Sequence, residues 1–292
     1  MEEQFLNYLR YERNRSELTI ERYGKSLRLF RTFFEKHCEG QTWETVDADI
    51  IRAWMESLMD KGYKATAVNA DLAAVRSFYR FALARKLVEK DPAHCVQGPK
   101  KQKPLPQFVK ESEMDKLLDE CEWSDEYKDV RARTIIILLY EAGLRRSELT
   151  GLNDRDVDLG ACQLKVTGKR NKQRIIPFGE ELREQLQKYM MLRDKTVERD
   201  SEALFVSKRG NRISDNEVYL IVRDKLGEVT TLRKRSPHVL RHSFATALLN
   251  HDAGLESVRQ LLGHVSLETT EIYTHTTFDQ LKRVYKEAHP RG

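Results

Sequence analysis

Residues 162–178, CQLKVTGKRNKQRIIPF, decide the fold class of this chain. Apolar and polar residues alternate on both sides of a turn that contains Gly168 and Asn171, which is the pattern of a β-hairpin. The regions before and after this stretch have apolar residues at helical spacing instead. The sequence therefore predicts a mainly α-helical protein with a small β-sheet.

The chain is predicted to form two domains that are joined by a basic linker. Its 292 residues are enough for two hydrophobic cores of ordinary size. Residues 1–98 are predicted to be helical, and the stretch DPAHCVQGPKKQKPLPQF (91–108) then breaks the pattern with prolines and lysines, so that residues 99–110 are the predicted linker. Residues 111–292 contain the hairpin between helical stretches. We therefore expect a helical domain, a linker and an α+β domain, in that order.

Composition excludes several classes of protein. No stretch approaches the ~20 apolar residues that a membrane span needs, and the acidic, then amphipathic start MEEQFLNYLRYERN is unlike a signal peptide. The cysteines are far apart and form no CxxC pair, which argues for a reducing compartment and against a zinc site or a disulfide framework. They are Cys38, Cys95, Cys121 and Cys162. We expect a cytoplasmic protein that binds no metal and no membrane.

The net charge of +5 is small, but the basic residues are concentrated in short segments. Residues 1–98 have a net charge of +1, residues 99–110 contain four lysines and no acid, and residues 111–292 are neutral overall. Within that neutral part, residues 165–174, KVTGKRNKQR, and residues 233–242, RKRSPHVLRH, contain no acid. Such segments are either the electrostatic footprint of a polyanion or a solvated surface.

Residues 236–249, SPHVLRHSFATALL, predict a helix whose N-terminus binds an anion. The Ser-Pro pair suits the N-cap and the first helical position. His238 and Arg241 then share one face of the first turn, where backbone N–H groups also favour negative charge. A metal site at His238 and His242 lacks the glutamate that follows the first histidine in metalloproteases. The other alternative is a capped helix with an incidental histidine and arginine.

Residues 141–149, EAGLRRSEL, place Arg145 in a tight turn between two helices. Gly143 ends the first helix, and we predict that Ser147 caps the second. A guanidinium in such a corner can present a planar fork to phosphate oxygens. Glu148 then orients Arg145 or a nearby histidine. Alternatively, the two residues form only a salt bridge across the turn.

The remaining candidates lie at the hairpin tip and near the C-terminus. Lys169, at the tip, has a flexible stem that reaches a nucleic-acid backbone or groove, or it serves only solubility. In residues 261–273, LLGHVSLETTEIY, Gly263 ends one helix, His264 occupies the turn and Tyr273 lies two turns into the next helix. Because a tyrosine pKa is ordinarily about 10, Tyr273 needs cationic neighbours to act as a nucleophile.

This ordered set of motifs resembles the tyrosine recombinases, or phage-type integrases, along almost the whole chain. The resemblance implies a helical core-binding domain at residues 1–98, a linker at residues 99–110 and a catalytic domain at residues 111–292, acting on double-stranded DNA. The start of the chain and its ending AHPRG are similar to the Xer recombinases, which resolve chromosome dimers at dif-like sites. The resemblance implies catalytic roles for Arg145, Lys169, His238, Arg241, His264 and the nucleophile Tyr273, with Glu148 as an accessory residue.

The same resemblance implies the reaction and its partners. DNA is cleaved through a 3′-phosphotyrosyl bond that keeps the phosphodiester energy, so no ATP, metal or other cofactor is expected. The arginines and histidines would stabilise charge on the non-bridging oxygens, and Lys169 would protonate the leaving 5′-oxygen. We expect a tetramer on DNA, of this chain alone or with a second recombinase, an activating cell-division protein and a nucleoid location.

Three other functions remain open from the sequence. A mobile-element integrase has the same chemistry, and a type IB topoisomerase shares the cleavage step. A non-catalytic DNA-binding regulator with the same fold is the third alternative.

The C-terminal tail has an apolar stripe at helical spacing. It either packs on its own domain or, as the resemblance implies, docks on a neighbouring protomer of the tetramer. The stripe consists of Phe278, Leu281, Val284, Tyr285 and Ala288.

Overall fold

A computed structural model describes residues 1–101, 107–168, 171–263 and 283–291. The chain divides into two compact units, Met1–Pro104 and Leu105–Gly292. The described parts are mainly helical with one small sheet, which confirms the predicted fold class. The assignment of residues 99–110 as a linker and the roles of the two units stay predictions. No helix in the described ranges is both long and apolar enough to cross a bilayer.

The first unit is a group of helices around an aromatic core. The helices are α1 (Glu2–Asn7), which continues into a π-helical turn (Tyr8–Glu12), α2 (Glu17–His37), α3 (Ala48–Asp60) and α4 (Ala65–Ala84). Apolar residues recur at helical spacing in α2, where Ile20, Leu27 and Phe34 are buried. The rings of Phe30 and Trp54 lie 4.7 Å apart and join α2 to α3.

The second unit surrounds one largely buried helix. Its helices are α5 (Glu111–Asp115), continued by a π-helical turn (Lys116–Glu120), α6 (Tyr127–Ala142), α7 (Arg146–Gly151), α8 (Glu180–Thr196), α9 (Asp215–Val229), α10 (Pro237–Asn250), α11 (Leu255–Leu262) and α12 (residues 283–288). Residues 135–139 of α6, IIILL, have no exposed surface. Helix α6 packs against α8, α9 and α10, which explains why residues 135–139 are apolar on every face of the helix.

The sheet contains the hairpin that the sequence predicts. Strands β1 (Val157–Asp158), β2 (Gln163–Thr167) and β3 (Gln173–Pro177) are antiparallel in this order, and a short 3-10 turn (Asp154–Asp156) precedes them. Leu164 of β2 pairs with Ile176 of β3, and both side chains are fully buried. One face of the hairpin therefore belongs to the core of the second unit.

Three of four predicted helix boundaries are confirmed by the structure, and the fourth is not. Gly143 ends α6 at φ +57°, Gly263 ends α11 at φ +67°, and Ser236 is the N-cap of α10. Helix α7, however, is capped by Arg145, so the prediction of Ser147 as the cap is wrong. The helix begins two residues earlier because the Glu148 carboxylate accepts a hydrogen bond from the Arg145 backbone N at 2.9 Å.

The described part of the tail packs on its own unit. Tyr285 and Ala288 are buried in the core, and the Tyr285 hydroxyl donates to Glu141 Oε2 at 3.3 Å. Burial raises the pKa of Glu141 to about 8. After α12, Arg291 donates to Glu181 Oε2 at 2.6 Å. For residues 283–291 the structure therefore shows the first alternative, and residues 278 and 281 of the stripe lie outside the described ranges.

We expect Tyr285→Ala to lower the free energy of unfolding by about 3–5 kcal/mol, the usual cost of removing a large buried side chain. Chemical denaturation of the full chain measures this change. Lys286→Ala, at an exposed position of the same helix, is the control and should change stability by less than about 0.5 kcal/mol. If both variants are as stable as the parent, α12 does not pack on its own unit in solution.

Candidate active site

The carboxylate of Glu148 is the centre of the candidate site. Its side chain is 3% exposed. Oε2 accepts from the Arg145 backbone N, and Oε1 accepts from Arg145 Nη1 at 2.6 Å. Burial by itself raises the pKa of Glu148, but the hydrogen bonds and positive charge of Arg174, together with the hydrogen bonds from Arg145, outweigh burial and lower the pKa to about 2. Glu148 is therefore ionised at neutral pH.

Arg174 of β3 is a second partner of Glu148 that sequence patterns did not predict. Its Nη1 donates to Oε1 at 3.0 Å and its Nη2 donates to Oε2 at 2.8 Å, while Nε donates to the Leu261 carbonyl at 3.0 Å. A signal for it exists in the strand alternation. Arg174 lies two residues before buried Ile176, hence on the inward face of β3, where a charged residue needs a partner.

Arg241 of α10 joins the C-terminal ends of two helices. Its Nη1 donates to the Gly143 carbonyl and its Nη2 to the Leu262 carbonyl, both at 2.6 Å. Nη1 also lies 3.8 Å from Glu148 Oε2. Loss of hydration, together with the positive charges of Arg145 and Arg174, lowers the pKa of Arg241 to about 10, although Glu148 opposes the shift. Arg241 remains a cation at neutral pH.

The cluster of Arg145, Arg174, Arg241 and Glu148 has an excess of positive charge. Three guanidinium groups surround one carboxylate, which leaves a net charge of +2 within the cluster. The side chain of Arg145 is 25% exposed, against 9% for each of the other two arginines. Buried positive charge that is open on one side favours an anion there, and guanidinium forks match the oxygens of a phosphate group.

Two segments that lead to other predicted site residues lie against this cluster. A methyl group added at Gly168, next to Lys169, would lie 3.3 Å from Glu148 Oε1. A methyl group added at Gly263, next to His264, would lie 3.2 Å from Arg174 Cδ. Glycine permits both close approaches. Lys169, His264 and Tyr273 themselves lie outside the described residues, and their roles stay predictions.

His238 is exposed on the first turn of α10, three residues before Arg241. Partial loss of hydration lowers its pKa below the ordinary 6.5, and the positive charges of Lys234 and Arg146 lower it further. His238 is therefore mainly neutral at pH 7, with one ring N–H donor. Together with the open N-terminus of α10, this arrangement suits a ligand that is already negatively charged.

Comparison with known proteins identifies the family. The model of the Phage integrase family matches residues 107–280, and that of the phage integrase N-terminal SAM-like domain matches residues 3–86. The chain belongs to the phage integrase family. Tyrosine recombinase XerC of Chlorobaculum tepidum is 37% identical over 99% of this chain and 94% of the relative. Tyrosine recombinase XerD of Oceanobacillus iheyensis is 34% identical over 99% of this chain and 98% of the relative.

These matches confirm the resemblance to the tyrosine recombinases and to their Xer group. From the ending IYTHTTFDQLKRVYKEAHPRG we predict more similarity to XerC than to XerD. Relatives with both names match nearly the full length. A crystal structure of the XerH site-specific recombinase, in a post-cleavage complex with palindromic difH, shares the fold. It has a TM-score of 0.73 and 22% identity, and covers 97% of this chain and 83% of that chain. The chain is a tyrosine site-specific recombinase.

Proposed function

We propose that this recombinase cleaves and rejoins double-stranded DNA at a dif-like site through a 3′-phosphotyrosyl bond to Tyr273, and that it thereby resolves chromosome dimers. The observation that supports this most is the cluster at Glu148, because it combines an excess of buried positive charge with guanidinium forks. Full-length similarity to Xer recombinases supports the chromosomal role.

In the proposed reaction, Arg145 and Arg241 bind the non-bridging oxygens of the scissile phosphate. His238 adds an N–H donor from the N-terminus of α10, and His264 adds another from the segment after α11. Negative charge grows on these oxygens as Tyr273 attacks phosphorus. Donors that are already in position stabilise that charge without reorganisation, and a single donor of this kind commonly contributes about 10²–10³-fold in rate.

Lys169 is the proposed general acid. It gives a proton to the 5′-oxygen as the phosphorus–oxygen bond breaks, and a free 5′-hydroxyl from another strand later reverses the step. Bond energy stays in the phosphotyrosine, so the exchange needs no ATP and no metal. This chemistry explains why a tip lysine and a cationic cluster are required together.

The proposed assembly is a tetramer on DNA, formed by this chain alone or with a second recombinase. The complex of XerH with difH supports duplex DNA as the partner. We propose that the first unit and the second unit both bind the duplex, that a cell-division protein activates the assembly, and that the protein associates with the nucleoid. Integration of a mobile element and non-catalytic regulation are the alternatives from the sequence.

Covalent capture tests the proposed function. The protein is incubated with labelled candidate sites that carry a nick close to the cleavage position. The short fragment with the free 5′-hydroxyl then dissociates after cleavage, which prevents religation and traps the covalent intermediate. We expect a protein–DNA adduct that survives denaturing electrophoresis. Specific binding with no adduct would favour the regulator. Relaxation of supercoiled DNA without partner exchange would favour a type IB topoisomerase.

Proton uptake at His238 gives a further expected result. Because the pKa of His238 is low without DNA, a nearby phosphate should raise it, so the complex binds a proton that the unbound protein does not hold. Affinity should therefore increase as pH falls from 8 to 6, by up to about tenfold for each unit of pKa change. DNA-binding titrations at several pH values and constant salt concentration measure this change in affinity. His238→Gln should lose this part of the slope, and an unchanged slope would exclude contact with phosphate.

A further inference from the structure

We propose that Arg174 is a positioning residue for strand cleavage, which holds the β2–β3 hairpin in place so that Lys169 can act as the acid. This inference rests on the proposed function, since it concerns the same site. All three guanidinium nitrogens of Arg174 donate to groups of the protein itself, and Arg174 is not proposed to touch DNA.

Arg174 connects three elements of the second unit through one side chain. It belongs to β3, its Nη1 and Nη2 bind Glu148 of α7, and its Nε binds the Leu261 carbonyl at the end of α11. The guanidinium group is planar and rigid, so these three bonds fix both the position and the angle of the strand. A single ammonium group cannot make the same set of bonds.

The hairpin tip is close in sequence to the anchor that Arg174 forms with Glu148 and the Leu261 carbonyl. Arg174 pairs with Val166 in the β2–β3 register, and the Gly168 backbone N donates to the Lys172 carbonyl at 2.7 Å on the way round the turn. A methyl group added at Gly168 would lie 3.3 Å from Glu148 Oε1 and 3.8 Å from Arg174 Nη1. The start of the tip is therefore packed against the pair that Arg174 forms with Glu148. Loss of the anchor should displace the tip.

Displacement of a general acid has a specific consequence. A misplacement of about 1 Å can reduce a rate by about 10²-fold. The loss should vanish when the leaving group needs no proton. A 5′-bridging sulfur is such a leaving group, because the phosphorus–sulfur bond breaks to release a thiolate. Sulfur substitution thus separates failure of the acid from a general loss of the site.

The experiment measures single-turnover cleavage of an oxygen-linked and a sulfur-linked site by full-length variants. For Arg174→Ala we expect the rate of cleavage of the oxygen-linked site to fall about 10²-fold. The affinity for the site should change less than about threefold. The rate of cleavage of the sulfur-linked site should stay within about tenfold of the parental rate. Arg174→Lys keeps the charge and loses the fork, and should still be about tenfold slow on oxygen. In a Lys169→Ala background, Arg174→Ala should add little.

Arg131 supplies a matched control in the same unit. Its side chain is 6% exposed, and it binds one carboxylate, Glu217 at 2.6 Å, and one backbone carbonyl, Val206 at 2.7 Å. It thus resembles Arg174 in burial and in bonding, but its partners are not at Glu148. Well below its unfolding temperature, Arg131→Ala should cleave both substrates at the parental rate.

The outcomes separate this inference from the proposed function. If Lys169→Ala is rescued by sulfur and Arg174→Ala is not, or if Arg174→Lys cleaves at the parental rate, the positioning role is wrong and the proposed function stands. Equal losses in Arg131→Ala would reduce Arg174 to a residue of general stability. If sulfur does not rescue Lys169→Ala, the proposed acid itself fails. Should Arg174→Ala not fold, Arg174→Lys tests the inference with the same two substrates.

Discussion

Tyr273→Phe should bind a candidate site as the parent does and form no covalent adduct with it. Binding should rest on the lysines and arginines, because neutralised phosphates dominate affinity for duplex DNA, whereas the proposed reaction needs the phenolic oxygen as the nucleophile. In the proposed mechanism, the cationic cluster at Glu148 would supply the field that the phenol requires, since a tyrosine with a pKa of about 10 is rarely ionised at neutral pH. Mobility shifts measure binding, and denaturing gels of nicked sites measure the adduct.

Tyr189→Phe is the control for this result. Tyr189 of α8 is buried in the same unit, and its hydroxyl donates to the Leu204 carbonyl at 3.1 Å. Like Tyr273→Phe, this variant loses one tyrosine hydroxyl, but the hydroxyl belongs to the core, so the variant should give the full amount of adduct. Persistence of the adduct in Tyr273→Phe, with none lost in the control, would remove Tyr273 from the mechanism.

Local rules predicted much of the fold. Alternation in residues 162–178 gave the hairpin, glycine gave the ends of α6 and α11, and Ser-Pro gave the start of α10. Each of these signals acts within a few residues. The start of α7 was predicted wrongly, although its signal is equally local: Glu148, three residues after Arg145, accepts from the Arg145 backbone N, and arginine is not a typical N-cap residue.

The site was less accessible to sequence patterns, because its contacts join distant residues. Glu148 and Arg174 are 26 positions apart, and Arg241 and Gly143 are 98 positions apart. Helical and strand periodicities describe neighbours within one element, so they cannot predict contacts between residues this far apart in the chain. Resemblance to a family proposed Arg145, Arg241 and Glu148 as site residues, and the structure brings these three together. The structure also adds Arg174 to the site. Strand alternation places this arginine on the inward face of β3, but it does not indicate which carboxylate neutralises it.

Lys169→Ala should slow cleavage of an ordinary site by about 10²–10⁴-fold, the usual contribution of a positioned general acid. The leaving 5′-oxygen departs as an alkoxide unless it receives a proton. With sulfur at that bridging position, the leaving group is a thiolate, which is stable near neutral pH because thiols are far more acidic than alcohols. The variant should then cleave the sulfur-linked strand nearly as fast as the parent does.

Arg241→Ala is the counterpart that sulfur should not rescue. Its proposed partners are the non-bridging oxygens, which the substitution leaves unchanged, so both substrates should be slow by about 10²–10³-fold. The side chain also ties the Gly143 and Leu262 carbonyls together, hence rates are compared only where thermal unfolding shows both variants folded. Rescue of both variants, or of neither, would make Lys169 a residue that positions DNA and would leave the proton on the 5′-oxygen to another donor.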